Sequence, residues 1–436
     1  MRAQAARAVV CGAAWALLVA ALAGCTGGLA FATPLPAEPE QSTPAPESTA
    51  PAPGGAPDAP RSDSRQLVIW LPAFSGIAGE DSAGDVLAGA FRQFEQTHPG
   101  VRVDVQIRAE SGPSDLFAYL RSAQRVAPSI LPDVVLINTQ ALWQIVDLGL
   151  ATPIPADQAN RADDFYPFAV DAVRYGGEIY GIPYAADAIH LAYQGDQTQQ
   201  PPATWGQLFT NGQPYWFTAA GDDLFQNGAA LLQYAAAGGQ LLEDGSTSSD
   251  EALRAYFDFL VEGRIRNVIP TEVADLATLD AVWSRLVGPE PDLGNVAVSA
   301  YLLNRDTMPQ LHFAQTPTRN GLPITLASTW AFVVLTPGEE QRSLAFELVD
   351  ALLAPEVQGA WSQYSHRLPT RRSAMQAWAN PTPYYEFLNR QLDVAVAPPN
   401  GRAFADFAHR MQSAQRGVVL GEISPQEAVQ IVRGPE

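Results

Sequence analysis

An α/β fold organised on a parallel sheet is predicted for residues 66–436, and three observations predict it. Over residues 67–137 the order of apolar patterns is strand, helix, strand, helix, strand. The segment holds about 370 residues, enough for two lobes of ordinary size. The part beyond residue 240 is richer in helix-period stretches than in strands.

The elements follow in order. Leu67-Val68-Ile69-Trp70-Leu71 is an uninterrupted apolar run and reads as a buried strand. Val86, Leu87, Ala90, Phe91 and Phe94 recur at helical spacing, and His98-Pro99-Gly100 stops that helix. Val101, Val103, Val105 and Ile107 alternate with polar residues, which predicts a second strand. A helix over 116–126 and the apolar strand Val134-Val135-Leu136-Ile137 complete the opening unit. Apolar residues at three and four spacing predict further helices over 249–262, 339–353 and 355–364. Ser424-Pro425-Gln426-Glu427 is a capping box with proline at the first helical position, and it opens a last short helix. No internal repeat is present.

The N-terminal region has a different texture. Arg2 and Arg7 precede an apolar run over residues 8–23 that is too short and too rich in small residues for a membrane span, so it reads as an export signal. Its end, Leu22-Ala23-Gly24-Cys25, resembles the lipobox of bacterial lipoproteins, which implies a signal peptide over 1–24 and lipidation of Cys25. Cys11 would leave with the signal, so no internal disulfide is possible in the mature chain. Residues 26–64 are dominated by Pro, Ala, Glu, Ser and Gly. Such a stretch buries too little apolar surface to offset its backbone entropy, and residues 25–65 are expected to be a disordered tether. At roughly 3.1 Å per residue, full extension spans on the order of 100 Å.

The formal net charge is −20, and loss of Arg2 and Arg7 would make the mature chain two units more negative. Nucleic acid and a bare anionic bilayer are poor partners for such a surface. The chain has no lysine, so it lacks the residue that a phosphate-binding P-loop requires. There is no G-x-S-x-G elbow and no H-E-x-x-H, and the five histidines have no metal-ligand spacing. No cofactor or metal is expected.

Seven landmarks in order carry a resemblance to the family 1 extracellular solute-binding proteins of ABC importers, which include the maltodextrin-binding lipoproteins. They are Leu67-Val68-Ile69-Trp70; Phe91-Arg92-Gln93-Phe94-Glu95-Gln96-Thr97-His98-Pro99-Gly100-Val101-Arg102-Val103; Leu131-Pro132-Asp133-Val134-Val135 with Leu148-Gly149-Leu150; Gly177-Glu178-Ile179-Tyr180-Gly181-Ile182-Pro183-Tyr184; Pro202-Ala203-Thr204-Trp205; Gly238-Gly239-Gln240-Leu241-Leu242; and Leu368-Pro369-Thr370-Arg371. The resemblance implies a periplasmic-binding-protein type II-like fold, with two α/β lobes joined by crossing hinge strands and a ligand cleft between them. It implies a first lobe of residues 66–186 plus 311–352 and a second of 187–310 plus 353–436, with crossings near 185–188, 308–313 and 352–355. The implied function is capture of a small polar solute, a mono- or oligosaccharide, and its delivery to an ABC permease by a monomeric protein, lipid-anchored at the outer face of the membrane, that is not an enzyme.

Ligands of open α/β sheets sit beyond the carboxyl ends of the strands, which directs attention to Phe74 and Ser75 after the first strand and to Asn138, Thr139 and Gln140 after the third. An aromatic ring there can stack on a sugar, and amides at a helix start suit hydroxyls or carboxylates. The resemblance adds Tyr184 and Asp187 at the first crossing, Asp187 matching an acidic ligand-binding position, and Trp330 as an aromatic facing the cleft. Trp216, Gln226, Arg367 and Phe404 are second-lobe candidates, whereas Trp143, Trp205, Trp283 and Trp361 are expected in packing roles. The charged residues of the maltodextrin-binding member are replaced at Phe74-Ser75 and Gln140-Ala141, so the particular solute stays open. Two alternatives remain: a surface-anchored hydrolase, whose paired carboxylates need no sequence motif, and the ligand-binding subunit of a sensor for a non-sugar solute.

Overall fold

Thirteen consecutive buried residues form the strand on which the architecture turns, Ile182–Gln194. Its alanines at 185, 186, 188 and 192 are at most 1% exposed, as a strand covered on both faces requires. In the computed structural model the described residues are 65–76, 82–110, 115–155, 162–195, 200–288, 292–378 and 382–434. The expected export signal, Cys25 and the expected proline-rich tether lie outside them.

In chain order the strands are β1 (Arg65–Pro72), β2 (Val101–Arg108), β3 (Val134–Asn138), the hairpin β4 (Arg174–Tyr175) and β5 (Glu178–Ile179), β6 (Ile182–Gln194), β7 (Tyr215–Trp216), β8 (Leu293–Ala297), β9 (Leu311–Ala314), β10 (Thr325–Val334), β11 (Leu368–Pro369) and β12 (Ala395–Val396). The main sheet runs β2-β1-β3-β10-β6-β8-β7, with β9 and β11 also on β6 and β12 on β10. β1 is parallel to both β2 and β3, while β10 is antiparallel to β3 and to β6. The helices Ser82–Thr97 and Leu116–Val126 connect the first strands, and the first ends where Gly100 takes a φ of 88°.

Two lobes follow from how β6 is paired. Its first half, up to Ala188, pairs with β10, and from Ile189 onward it pairs with β8. Because β10 opposes both β3 and β6, β6 runs in the same direction as β1, β2 and β3 and leaves the first lobe past their carboxyl ends. It then runs antiparallel to β8, whose carboxyl end, Ala297, pairs with Ile189 and so lies nearest the first lobe. β7 is parallel to β8. The carboxyl edges of the parallel strands in the two lobes therefore face one another.

Helices cover the sheet of each lobe. Leu67, Ile69 and Leu71 pack with Leu87, Phe91, Phe94 and Trp361 on one face of the first lobe, and Trp70, Val135 and Ile137 with Leu120 and Ile145 on the other. In the second lobe Leu191, Tyr215 and Leu293 pack with Leu231, Phe257 and Met411. A third cluster around Ala186, Ala188, Tyr301, Tyr384 and Phe387 fills the junction.

Two expected crossings are displaced. Residues 311–314 form β9, paired along their length with Leu191–Gln194 on the second-lobe side, and the return to the first lobe is made by β10. Residues 355–364 do not leave the first lobe: Trp361 is fully buried in its core and its indole N–H donates to the Ser75 carbonyl at 3.1 Å. The chain turns toward the junction only after this helix, where β11 pairs with Ala185 and Ala186.

Candidate functional site

The first-lobe side of the facing edges is built from three strand ends. β1 runs into a tight turn, Ala73–Ser75, closed by Gly76 with a left-handed φ of 80°. That turn sets the Phe74 ring edge-on to Trp330, with centroids 5.2 Å apart. Trp330 lies in β10 opposite Asn138, the last residue of β3, and its indole hydrogen-bonds the carboxyl of Glu110, just beyond β2.

Arg367 joins this group. Its guanidinium carbon lies 4.8 Å from the Phe74 ring centroid and 4.9 Å from that of Trp330, so the cation sits against both aromatic rings. The β11 register, Leu368 opposite Ala186, brings the preceding Arg367 opposite Asp187. Its Nη1 donates to Asp187 Oδ2 at 2.8 Å. Among the described residues the guanidinium makes no other hydrogen bond, and 19% of the side chain is exposed, so donors remain for a ligand.

Asp187 is 2% exposed and its acceptor positions are filled. Oδ1 accepts from the Ala188 amide at 2.9 Å and the Ser299 amide at 3.1 Å, and Oδ2 accepts from Arg367 and from the Ser299 hydroxyl. Burial holds its carboxyl above the ordinary pKa, against the opposing charge of Arg367 and the hydrogen bonds from Ser299 and Ala188. Glu110 is exposed as a residue, yet its carboxyl end is desolvated against Trp330 and Arg367. That desolvation raises its pKa, opposed by the Arg367 charge and the indole hydrogen bond.

A cavity of the second lobe lies beyond the end of β7. There, Gly221 and Asp222 face one side of the helix Arg402–Leu420 across a cavity of about 350 Å³. His409, Gln412, Ser413 and Arg416 line it, at i, i+3, i+4 and i+7 on one helical face. The opposite face, with Phe404, Phe407 and Met411, is core. Gln412 is 2% exposed, and its amide nitrogen donates to the carbonyls of Asp223 and Asn227, each at 3.0 Å. Two carbonyl partners fix the amide orientation and leave Oε1 buried with no protein donor.

The expected residues divide accordingly. Phe74, Trp330, Arg367 and Asp187 come together, but Asp187 has no acceptor position left over for a ligand hydroxyl. Asn138 is next to them and is used within the protein: its Oδ1 caps Gln140 N at 2.9 Å and its Nδ2 donates to Ser328 Oγ at 3.0 Å. Thr139 is buried in the following turn. Tyr184 has no exposed surface; its ring packs 4.8 Å from both Phe332 and Trp361, because that position of β6 faces the first-lobe core. Trp216 is buried in the second-lobe core with Arg285 over its ring. Gln226 accepts the Leu279 amide at 2.9 Å, and Phe404 is fully buried. Cys25 lies outside the described residues.

Glu110, Ser299 and the helical face from His409 to Arg416 were not anticipated. The strand-end rule, extended to β2 and β8, points to the first two, and the polar i, i+3, i+4, i+7 series in the last long helix points to the third. Among the described residues no group of three or more His, Cys, Asp or Glu could hold a metal ion, and no helix is long and apolar enough to cross a membrane.

With this geometry in view, residues 89–383 match the family model described as bacterial extracellular solute-binding protein. Solved structures align across most of the chain. Maltose-bound MalE3 of T. maritima is 18% identical with a TM-score of 0.64, covering 84% of this chain and 98% of its own. The cyclic alpha-maltosyl-1,6-maltose binding protein of Arthrobacter globiformis is 17% identical with a TM-score of 0.69, covering 84% and 97%. The sugar-binding protein MalE of Xanthomonas citri is 20% identical with a TM-score of 0.68, covering 84% and 95%. A curated relative, Thiaminase-1 of Paenibacillus thiaminolyticus, is 25% identical over 136 residues, and the match spans only 29% of that protein's length. These likenesses fit the two-lobed architecture.

Proposed function

The chain belongs to the bacterial extracellular solute-binding proteins, and on that premise we propose that it captures a sugar between its lobes and passes it to an ABC permease. One observation carries the sugar reading. Arg367 offers free donors and Glu110 an acceptor beside the Phe74 and Trp330 rings, on one of two strand edges that face each other. Adjacent hydroxyls of a sugar suit that pair, one accepting from the guanidinium and its neighbour donating to the carboxylate. The aromatic edges supply apolar surface for the C–H faces of the ring.

We assign the second-lobe contacts of the ligand to the cavity beyond β7, where the buried Gln412 Oε1 calls for a donor and Asp222 and His409 add polar groups. A ligand that bonds both edges binds the closed arrangement better than the open one, and that difference in affinity is what drives closure. Solved relatives that bind maltose or other sugars support the class of solute. Lipidation of Cys25 would hold the domain at the membrane, with the proline-rich stretch as spacer, because two or more acyl chains anchor stably at roughly 0.8 kcal/mol per buried methylene.

Calorimetric titration with a panel of neutral mono- and oligosaccharides, together with their uronate and amine counterparts, tests the reading. Saturable one-to-one binding of a neutral sugar is the expected result. Binding confined to the charged compounds, or none to any carbohydrate, contradicts it.

A further inference from the structure

Asp187 holds the place where a ligand-binding carboxylate was expected, and its surroundings give it another task. It stands two residues before β6 changes partner, with Ala188 still paired to β10 and Ile189 already paired to β8. Four donors converge on it, from both sides of that change. Arg367 reaches it from the segment that follows Trp361 and the first-lobe core, and the amide and hydroxyl of Ser299 reach it from the start of the helix Val298–Asn304, which follows β8 in the second lobe. A carboxylate accepts about four hydrogen bonds, so it is saturated.

We propose that Asp187 is a positioning residue, a clasp that ties Arg367 of the first lobe to the start of the 298–304 helix of the second. Presentation of Arg367 to the ligand and the relative setting of the lobes then become one motion. The inference rests on the reading that a solute is bound between the lobes. A buried carboxylate is retained only if its partners stay in place, because removing one leaves an uncompensated charge. Any movement of the helix carrying Ser299 therefore pulls on the group that fixes Arg367 against Phe74 and Trp330. His366, the residue before Arg367, has a left-handed φ of 55°, and its imidazole feels the charges of Arg305 and Asp306 at the far end of the same helix.

The test uses hydrogen exchange on the ligand-free full chain and sugar affinity in parallel. Ser299→Ala removes one hydroxyl at the start of a second-lobe helix, and the bond it deletes is the one to Asp187. The clasp requires it to accelerate exchange across residues 366–369 of the first lobe about tenfold, and Ser299→Thr, which keeps the hydroxyl, to restore the parent rate. Asp187→Asn should have the same effect or a larger one. For the neutral sugar that binds the parent best, both Ser299→Ala and Asp187→Asn should weaken affinity by tenfold or more, with the double variant no worse than Asp187→Asn alone. Unchanged exchange at 366–369 in Ser299→Ala overturns the clasp whether or not any sugar binds. Additive losses of affinity in the double variant also overturn it. If no sugar binds the parent while the exchange coupling is present, the clasp stands as a link between lobes and the sugar reading fails.

Discussion

Replacing Trp330 by phenylalanine and by alanine separates two contributions of its ring. The residue is 8% exposed, packs edge-on to Phe74 at 5.2 Å, supports the Arg367 guanidinium at 4.9 Å and hydrogen-bonds Glu110. Phenylalanine keeps an aromatic face and loses the N–H. That loss costs about 1 kcal/mol for the hydrogen bond and a few tenths more for a weaker cation–π contact, or about 1–2 kcal/mol in all. Alanine removes the packed ring as well and leaves a cavity, for about 3–5 kcal/mol. Urea unfolding followed by circular dichroism reads both values. Equal costs for the two variants would show that the N–H alone matters. A cost below about 1 kcal/mol for alanine would show that the ring is not packed, and either result refutes the placement of Trp330 as the support of Arg367. The indole bond also holds the Glu110 pKa down against desolvation. In Trp330→Phe that pKa rises further, which a carboxyl titration by NMR would detect.

Three further outcomes are expected. His190 is buried, bonded to the Tyr384 hydroxyl at 2.9 Å and pushed from 6.5 down to about 4. As pH falls through that window the unfolded chain binds the proton first, so stability is lost by up to about 3 kcal/mol; His190→Gln should flatten this part of the stability–pH curve, and an unchanged slope counts against it. Ser424→Ala removes the hydroxyl that accepts from the Glu427 amide and donates to its carboxylate, while the residue 424 N–H still donates to that carboxylate, for about 1 kcal/mol and faster exchange of the first-turn amides of the helix Pro425–Arg433; unaltered exchange would mean the hydroxyl contributes nothing. Cys25→Ser should release the protein from membranes with sugar affinity intact, and a processed form that stays membrane-bound would contradict lipidation at that residue.

What could be read from the sequence is what local physics decides. The helix over 116–126 and the capping box at Ser424 appear in the structure with the expected bounds, because spacing and caps act within a few residues. The three opening strands were legible because each is an apolar or alternating run between turns. The site was only half legible. Phe74 follows from the rule that ligands lie beyond strand ends, but the role of Asp187 depends on Ser299 and Arg367, 112 and 180 residues away, and no local pattern announces either partner. Tyr184 was misjudged because alternation along a strand buried on both faces carries no sign of which side is cleft and which is core. The second and third crossings fall elsewhere than expected for a related reason: β9 is a four-residue strand whose partners lie 117–123 residues earlier, and the helix after Pro355 is held to the first lobe by Trp361, a tertiary contact.

The central claim is that a sugar closes two lobes over the edge that carries Arg367 and Glu110. Small-angle X-ray scattering of the protein, with and without the tightest-binding neutral sugar at a hundred times its dissociation constant, tests it most directly. The account predicts a smaller radius of gyration in the liganded protein, and a much reduced change in Arg367→Ala at the same sugar concentration. A radius unchanged by a sugar that calorimetry shows to be bound would contradict it.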